Sequence, residues 1–490
     1  MDMALHCPAC AVDYRIMDRH FACPKAQPDA EHLLRQVHRA RPEIELWRDA
    51  WDDGERGSFR VFRNALSSHL LAGEQGYLAQ LEGINDNLMR FHGLTFEATA
   101  LFSARPLAAA IGHDGLLLAK DETANVGGSN TARHLMGTLL YIEAHRRLTD
   151  SPAKTPLAIH SCGDAALGAA IVARAGEYPL HCFVPRDVDP ELENLLRSHG
   201  AYIEKVIPRT GELGDPCYRA FREAVSERGF LPFATSGPDN WSGIEGGRTL
   251  GYELALQLSE AGIELDHLVL QVGGGAMARA VVEALESCRE WGMLERVPRI
   301  HAVQPTGSFP FVRCHALLLA HVADVAGLPF ELEYDIDSDP EDETAILREF
   351  LEEEAEQVAE VAAYAADSFA TEEVQQVLAR AVANPTEFMW PWDLGGSESA
   401  AHGLLHPVAH DWFYLAAGML RTGGVPAVAT EESLANAKDL VAGNTNIAAT
   451  ASGTAGLAGL TTLKEQGHIA GSDAVGIVLT SVDRASLEWR

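Results

Sequence analysis

Lysine is scarce in this chain: the cationic residues number 38, but only six are Lys, at positions 25, 120, 154, 205, 438 and 464. Positive charge as a whole is short, with 38 Lys and Arg against 70 Asp and Glu and a formal net charge of −32. A nucleic acid is held through its phosphates by clustered cations. No basic patch is segregated along the sequence, so nucleic-acid binding is excluded while a small anion in a private pocket is not. Long apolar runs are also missing: no window approaches the roughly 20 uninterrupted apolar residues of a membrane helix, and no basic start followed by an apolar stretch opens the sequence. A cytoplasmic protein without membrane contact is therefore the expectation. Eight cysteines in 490 residues, most isolated in apolar surroundings, exclude a disulfide framework. Aromatic residues make up 7% and do not interleave with basic ones, so Trp241 and Trp390-Pro391-Trp392 read as core or interface rather than a stacking platform.

What is present is the composition of a folded chain, 47% hydrophobic with 43 Gly and 23 Pro, long enough for two or three domains at roughly 150 residues each. Residues 1–30 are short and punctuated by Cys and Pro. Residues 31–93 read as a helical linker, with Leu33, Leu34, Val37 and Ile44 in a loose apolar stripe over Ala30 to Asp52 and a break at Pro42. From about Leu94, short apolar runs (Leu116 to Leu118, Leu157 to Ile159, His181 to Val184, Leu268 to Val272, Ile300 to Val303) alternate with amphipathic helical stretches. That texture predicts an α/β fold of parallel sheets covered on both faces. Two clusters of such strands, within about 155–235 and from about 265 onward, predict two lobes with a cleft at the strands' carboxyl ends. Glu331 to Glu360 holds fourteen acidic residues and one Arg, read as a solvated helical face leading into a helix toward Ala383.

Four loops carry chemistry. The first, Lys120 to Arg133, leaves a strand and enters a helix at about Ala132, and its Gly127-Gly128-Ser129-Asn130 suits an anion. The second, His160-Ser161-Cys162-Gly163-Asp164-Ala165-Ala166, is by itself an ordinary strand-to-helix turn. In the third, Gly273, Gly274 and Gly275 lie between a buried strand and a helix, where backbone can approach a phosphate at the positive end of the helix dipole. This loop also satisfies G-x-G-x-x-A, but the next strand ends at Gln304 rather than at a ribose-binding acid, which counts against a nucleotide-binding oxidoreductase. The fourth, Asn446 to Leu460, sets hydroxyls before an Ala/Gly helix, with capping by Ser452 or Thr454 as the structural reading.

In that order the four loops resemble those of fold type II pyridoxal-phosphate enzymes, the tryptophan synthase β superfamily, and within it threonine synthase and its lyase-like relatives. The resemblance covers residues 94–465, with a smaller lobe at about 125–240 and a C-terminal segment at 466–490. Phe96 to Leu101, Leu118 to Glu122, Phe183-Val184-Pro185 with Leu195 to Gly200, and Glu245 to Leu250 also match family segments. The resemblance implies two parallel-sheet α/β lobes and a homodimer. It implies pyridoxal 5'-phosphate as cofactor, a small amino-acid substrate, and elimination or replacement chemistry. It places the cofactor phosphate on Gly273, Gly274 and Gly275, and the pyridine nitrogen against Ser452, with Thr450 as second choice. The substrate carboxylate falls on Ser161, Cys162, Gly163 and Ala165.

The departures bear on activity. Where the family has the lysine that forms the Schiff base, this chain has Thr131, and a hydroxyl can neither form an imine nor shuttle the substrate α-proton as an amine does. Where the family has an Asn that donates to the cofactor's phenolic oxygen, this chain has Asp164, whose carboxylate only accepts. Lys120 is nearest in sequence to the missing lysine and is the candidate surrogate. Two readings follow: an impaired lyase or synthase homologue, with the cofactor held noncovalently or absent, or a non-catalytic member serving as a binding or partner subunit.

Near the start, Cys7-x2-Cys10 and His20-x2-Cys23 offer four soft ligands at a spacing compatible with tetrahedral zinc, either a Cys3His site or a decayed ribbon. Glu398, His402, His406 and His410 recur every fourth residue, but Pro407 interrupts a helix there, and they read as surface or packing.

Overall fold

The computed structural model describes residues 3–27, 30–151, 153–208, 215–330, 332, 340–392 and 397–484; the acidic run over 333–339 lies outside them. Thirteen strands form three sheets among the described residues. At the start, β1 (Met3–Cys7) pairs antiparallel with β2 (Val12–Arg15) and β3 (Arg35–His38). The larger sheet takes β4 (Leu101–Ser103), β5 (Leu117–Asp121), β10 (His267–Gln271), β11 (Arg299–Pro305), β12 (Pro426–Ala429) and β13 (Val475–Leu479) in the order β12-β11-β10-β13-β5-β4. All its pairings are parallel except that of edge strand β4. The smaller sheet is wholly parallel: β6 (Leu157–His160), β7 (Leu180–Pro185), β8 (Tyr202–Val206) and β9 (Leu231–Pro232) in the order β8-β7-β6-β9.

The strand sequences explain the layering. The residues of β10, β12 and β13 are buried throughout, as expected of strands covered by helices on both faces. Around the larger sheet runs the main core, and a second core joins the helices Ser67–Phe91, Thr131–Leu148 and Asp164–Ala175 to the smaller sheet. Helix Thr131–Leu148 crosses helix Trp241–Ala261 at glycines: a Cβ on Gly137 would collide with the Gly246 backbone.

The sequence reading needs correction in three places. Ala30 to Asp52 is not one helical stripe, because Arg35–His38 is drawn into β3 by pairing with β1; Gln36 is buried and Val37 exposed, the period of two of a strand. Only Glu45–Asp52 of that stretch is an α-helix. The stretch 466–490, read as a segment of its own, supplies β13, which sits between β10 and β5. The helix toward Ala383 is two helices, Ala355–Asp367 and Glu372–Ala383.

Candidate active-site cleft

Each of the four loops leaves a sheet or enters a helix at the cleft between the lobes. Gly127 and Gly128 both take left-handed backbone (φ 72° and 71°), bending the first loop so that helix Thr131–Leu148 starts at the residue where the imine lysine is expected. The Thr131 hydroxyl lies 2.7 Å from that of Ser129. Two positions on, Arg133 points away from the cleft into a buried ion cluster. It donates to Glu122 (2.7 and 2.9 Å) and to Glu253 (2.6 Å). Lys120 completes the cluster, donating to Glu253 (2.8 Å), the Thr99 carbonyl (2.8 Å) and Gln257 (2.9 Å). Two cations and two carboxylates balance there without solvent, as buried charges require. Burial works to raise the Glu253 carboxyl, but Arg133 and Lys120 outweigh it and hold it down to about 2. Lys120 is 1% exposed with its ammonium donors spent on three partners, so its amine is not offered to the cleft.

In the second loop the Ser161 hydroxyl accepts from the Gly163 N–H (3.2 Å), and Asp164 opens helix Asp164–Ala175. Asp164 is paired with Arg484 at 2.9 Å. Beside it a cavity of about 510 Å3 is lined by His160, Ser161, Cys162, Phe183 and Asp215 among others. Burial and then the Asp215 charge push the Cys162 thiol up, which disfavours the thiolate a nucleophile needs.

Gly275, at φ 93°, caps helix Ala276–Glu290 in left-handed backbone. Asp411 braces this turn: its N–H donates to the Gly274 carbonyl (2.9 Å), and its carboxylate accepts from Gly237 N–H (3.1 Å) and from Arg279 (2.8 Å). The His406 ring lies against the glycines, and a Cβ added to Gly273 would stand 2.8 Å from its Cδ2. His406 is lowered to about 4 by desolvation, with His410 and His160 adding to the effect, so it faces the loop as a neutral ring. In the fourth loop Thr450, not Ser452 or Thr454, caps helix Ala451–Glu465: it accepts from Gly453 N–H (3.0 Å) and pairs with the Ser481 hydroxyl (2.5 Å). The Ser452 hydroxyl remains for the cleft and accepts from Gly403 N–H at 3.2 Å.

The cleft thus brings together Thr131, the Ser161–Ala165 loop, Gly273 to Gly275 and Ser452. It also contains Asp411, more than 130 residues beyond the glycine loop, and Arg484 near residue 490, which no spacing indicated. Of the four His/Glu positions at fourfold spacing, His406 is a cleft residue, while His402 begins a 3-10 turn (His402–Leu404) and is exposed. At the N-terminus Cys7, Cys10 and Cys23 converge as read, but the fourth ligand-type atom among them belongs to His32 and not to His20. His20 instead has its ring edge-on to Tyr14, and its carbonyl accepts from Trp241.

A family model described as pyridoxal-phosphate dependent enzyme matches residues 94–377. The chain belongs to this family. Among solved structures, maize serine racemase is similar over 83% of this chain and 94% of its own, with TM-score 0.52 and 16% identity. A threonine deaminase from T.th. is similar over 82% and 98%, with TM-score 0.51 and 18% identity. Diaminopropionate ammonia lyase from Escherichia coli is similar over 83% and 89%, with TM-score 0.52 and 16% identity. At these identities the likeness shows the fold, that of fold type II pyridoxal-phosphate enzymes. No curated protein matches the sequence. None of the described helices is long and apolar enough to cross a membrane.

Tested against the cofactor the family implies, the residues present fit only in part. A glycine turn at a helix N-terminus and the Ser452 hydroxyl, which accepts from Gly403 N–H, remain. Where the resemblance expects the imine lysine stands Thr131, where it expects a donor to the phenolic oxygen stands the Asp164 carboxylate engaged by Arg484, and the His406 ring lies against Gly273. The set does not fit a covalently held pyridoxal phosphate.

Proposed function

We propose that this chain is a threonine-synthase-like homologue that has lost Schiff-base chemistry of its own and acts as a non-catalytic binding or partner subunit. Its ligand is a small anionic or amino-acid-like molecule taken between the Ser161–Ala165 loop and Gly273 to Gly275. One observation carries this reading: no lysine is free at the cleft. Thr131 holds the imine position, and Lys120 is locked on Glu253. Lys154 bonds the Gly176 carbonyl, Lys205 pairs with Glu193, Lys438 with Asp483, Lys464 bonds the Ile111 and Gly112 carbonyls, and Lys25 is exposed on the N-terminal segment. An imine requires a reachable neutral amine, so the family's covalent step has no donor. The alternative, a working lyase, predicts a cofactor imine somewhere in the chain.

The experiment is an absorbance spectrum of the purified protein with added pyridoxal phosphate before and after borohydride, with mass spectrometry of any reduced adduct. Spectral change without a reducible adduct, or no change, supports the proposal. A stoichiometric adduct on one cleft lysine, Lys120 included, overturns it. A homodimer goes with this reading, and its mass in solution is checked by light scattering.

A further inference from the structure

The cleft leaves one cluster unexplained, at the opposite end of the chain. The Sγ atoms of Cys7, Cys10 and Cys23 and one ring nitrogen of His32 all lie within 4.8 Å of one another. Cys10 Sγ and Cys23 Sγ are 3.7 Å apart, and Cys7 Sγ is 3.5 Å from His32 Nδ1. Zinc bonds of ~2.3 Å to sulfur and ~2.0–2.1 Å to imidazole nitrogen, at tetrahedral angles, place two sulfurs ~3.8 Å apart and a sulfur and a nitrogen ~3.6 Å apart. Both observed separations match that polyhedron. We propose that Cys7, Cys10, Cys23 and His32 form a closed structural zinc site.

The backbone supplies the four ligands from four places: the end of β1, the turn before β2, the turn around Cys23, and the residue that leads into β3. Four protein ligands leave no open position, so the site is structural and not catalytic. The Tyr14 hydroxyl stands 3.5 Å from Cys10 Sγ and 3.4 Å from Cys23 Sγ, an outer partner of the kind that orients ligating thiolates. The site's purpose follows from where His32 is anchored. On one side, the Glu31 carboxylate accepts from Trp412 (2.9 Å); on the other, the Leu33 carbonyl accepts from Tyr414 (3.3 Å) and that of Leu34 from Arg279 (2.7 Å). Arg279 is the residue that holds Asp411 beneath the glycine turn. Zinc therefore ties the turn between β1 and β2 to the segment 31–34, whose Leu34 carbonyl holds Arg279 of helix Ala276–Glu290 and whose Glu31 and Leu33 meet Trp412 and Tyr414.

The test uses the full chain. Metal analysis of the purified or zinc-reconstituted protein is expected to give one zinc per chain. Cobalt exchanged into the wild-type protein is expected to show the intense visible bands of tetrahedral coordination together with thiolate charge transfer. His32→Ala and Cys10→Ser are expected to weaken zinc binding at least tenfold, whereas His20→Ala leaves it unchanged. The cobalt spectrum needs no variant, so misfolding of a variant does not decide the matter. An octahedral or absent cobalt spectrum overturns the proposal, as does a Cys10–Cys23 disulfide in protein purified without added oxidant, or zinc lost in His20→Ala and kept in His32→Ala.

Discussion

Thr131 is half-buried, its hydroxyl bonds that of Ser129 among the described residues, and it stands at the start of a helix, where a side chain leans back toward the N-terminus. Thr131→Lys is therefore expected to restore part of a visible imine band with added pyridoxal phosphate, reducible by borohydride. Adding Asp164→Asn removes the carboxylate that the resemblance sets against the cofactor's phenolic oxygen and is expected to strengthen the band beyond that of either single change. A colourless double variant would mean that the cleft is closed by something else. Lys120 behaves in the opposite way. Lys120→Met leaves Glu253 with a single cationic partner in a dry site, and removing one partner of a buried pair costs about 3–5 kcal/mol. Chemical denaturation should register that loss, while phosphate binding at the glycine loop stays as in the parent chain.

Two elements set the cleft's shape. The crossing of helices Thr131–Leu148 and Trp241–Ala261 positions both Thr131 and the cluster of Arg133 and Glu253, and it depends on Gly137 and Gly246 lying backbone to backbone. Gly137→Ala has no flexible side chain to displace, so it is expected to reach the upper end of the overpacking range, about 3 kcal/mol, in denaturant unfolding. The second element is the segment 397–411, which lays His406 on Gly273 and Gly403 on Ser452. His406→Ala removes that ring without touching the glycine turn or its Asp411 brace. Calorimetric affinity for inorganic phosphate or pyridoxal phosphate should rise; unchanged affinity would show that the ring is not what stands in the anion's way.

At the scale of the whole molecule the buried histidines govern the response to acid. Burial lowers His134 and His145 to about 4 and His315 and His38 to about 3. In the unfolded chain each binds a proton near its ordinary value of ~6.5. Between pH ~6.5 and ~4 the unfolded state therefore holds protons the folded state refuses, and stability falls as pH drops, by up to ~1.4 kcal/mol per pH unit for each. Glu31 and Glu245, raised to about 7 mainly by burial, act in the other sense, because the folded chain holds their protons more tightly between ~7 and ~4.5. The histidines outnumber them. The denaturation midpoint, followed at high salt to screen the net charge of −32, should fall from pH 7 to pH 5, and a flat profile would contradict the burial of these rings.

The sequence by itself determined the alternation of apolar strands with helices and the glycine turn at Gly273 to Gly275, because these are written in local pattern, and it put a hydroxyl, Thr131, where the resemblance expects an amine. The convergence of Cys7, Cys10 and Cys23 was legible for the same reason. Only the tertiary structure decided the rest. His32 rather than His20 joins the three cysteines because β3 folds back onto β1, a pairing that a loose apolar stripe over Ala30 to Asp52 disguised as helix. β13 reaches the middle of the large sheet from a stretch that looked terminal, since strand order is a property of packing and not of sequence distance. His406, Asp411 and Arg484 enter the cleft from more than a hundred residues away, and Lys120 is withdrawn from it, because a buried charge goes where its counter-charge is, and Glu253 lies 133 positions along the chain.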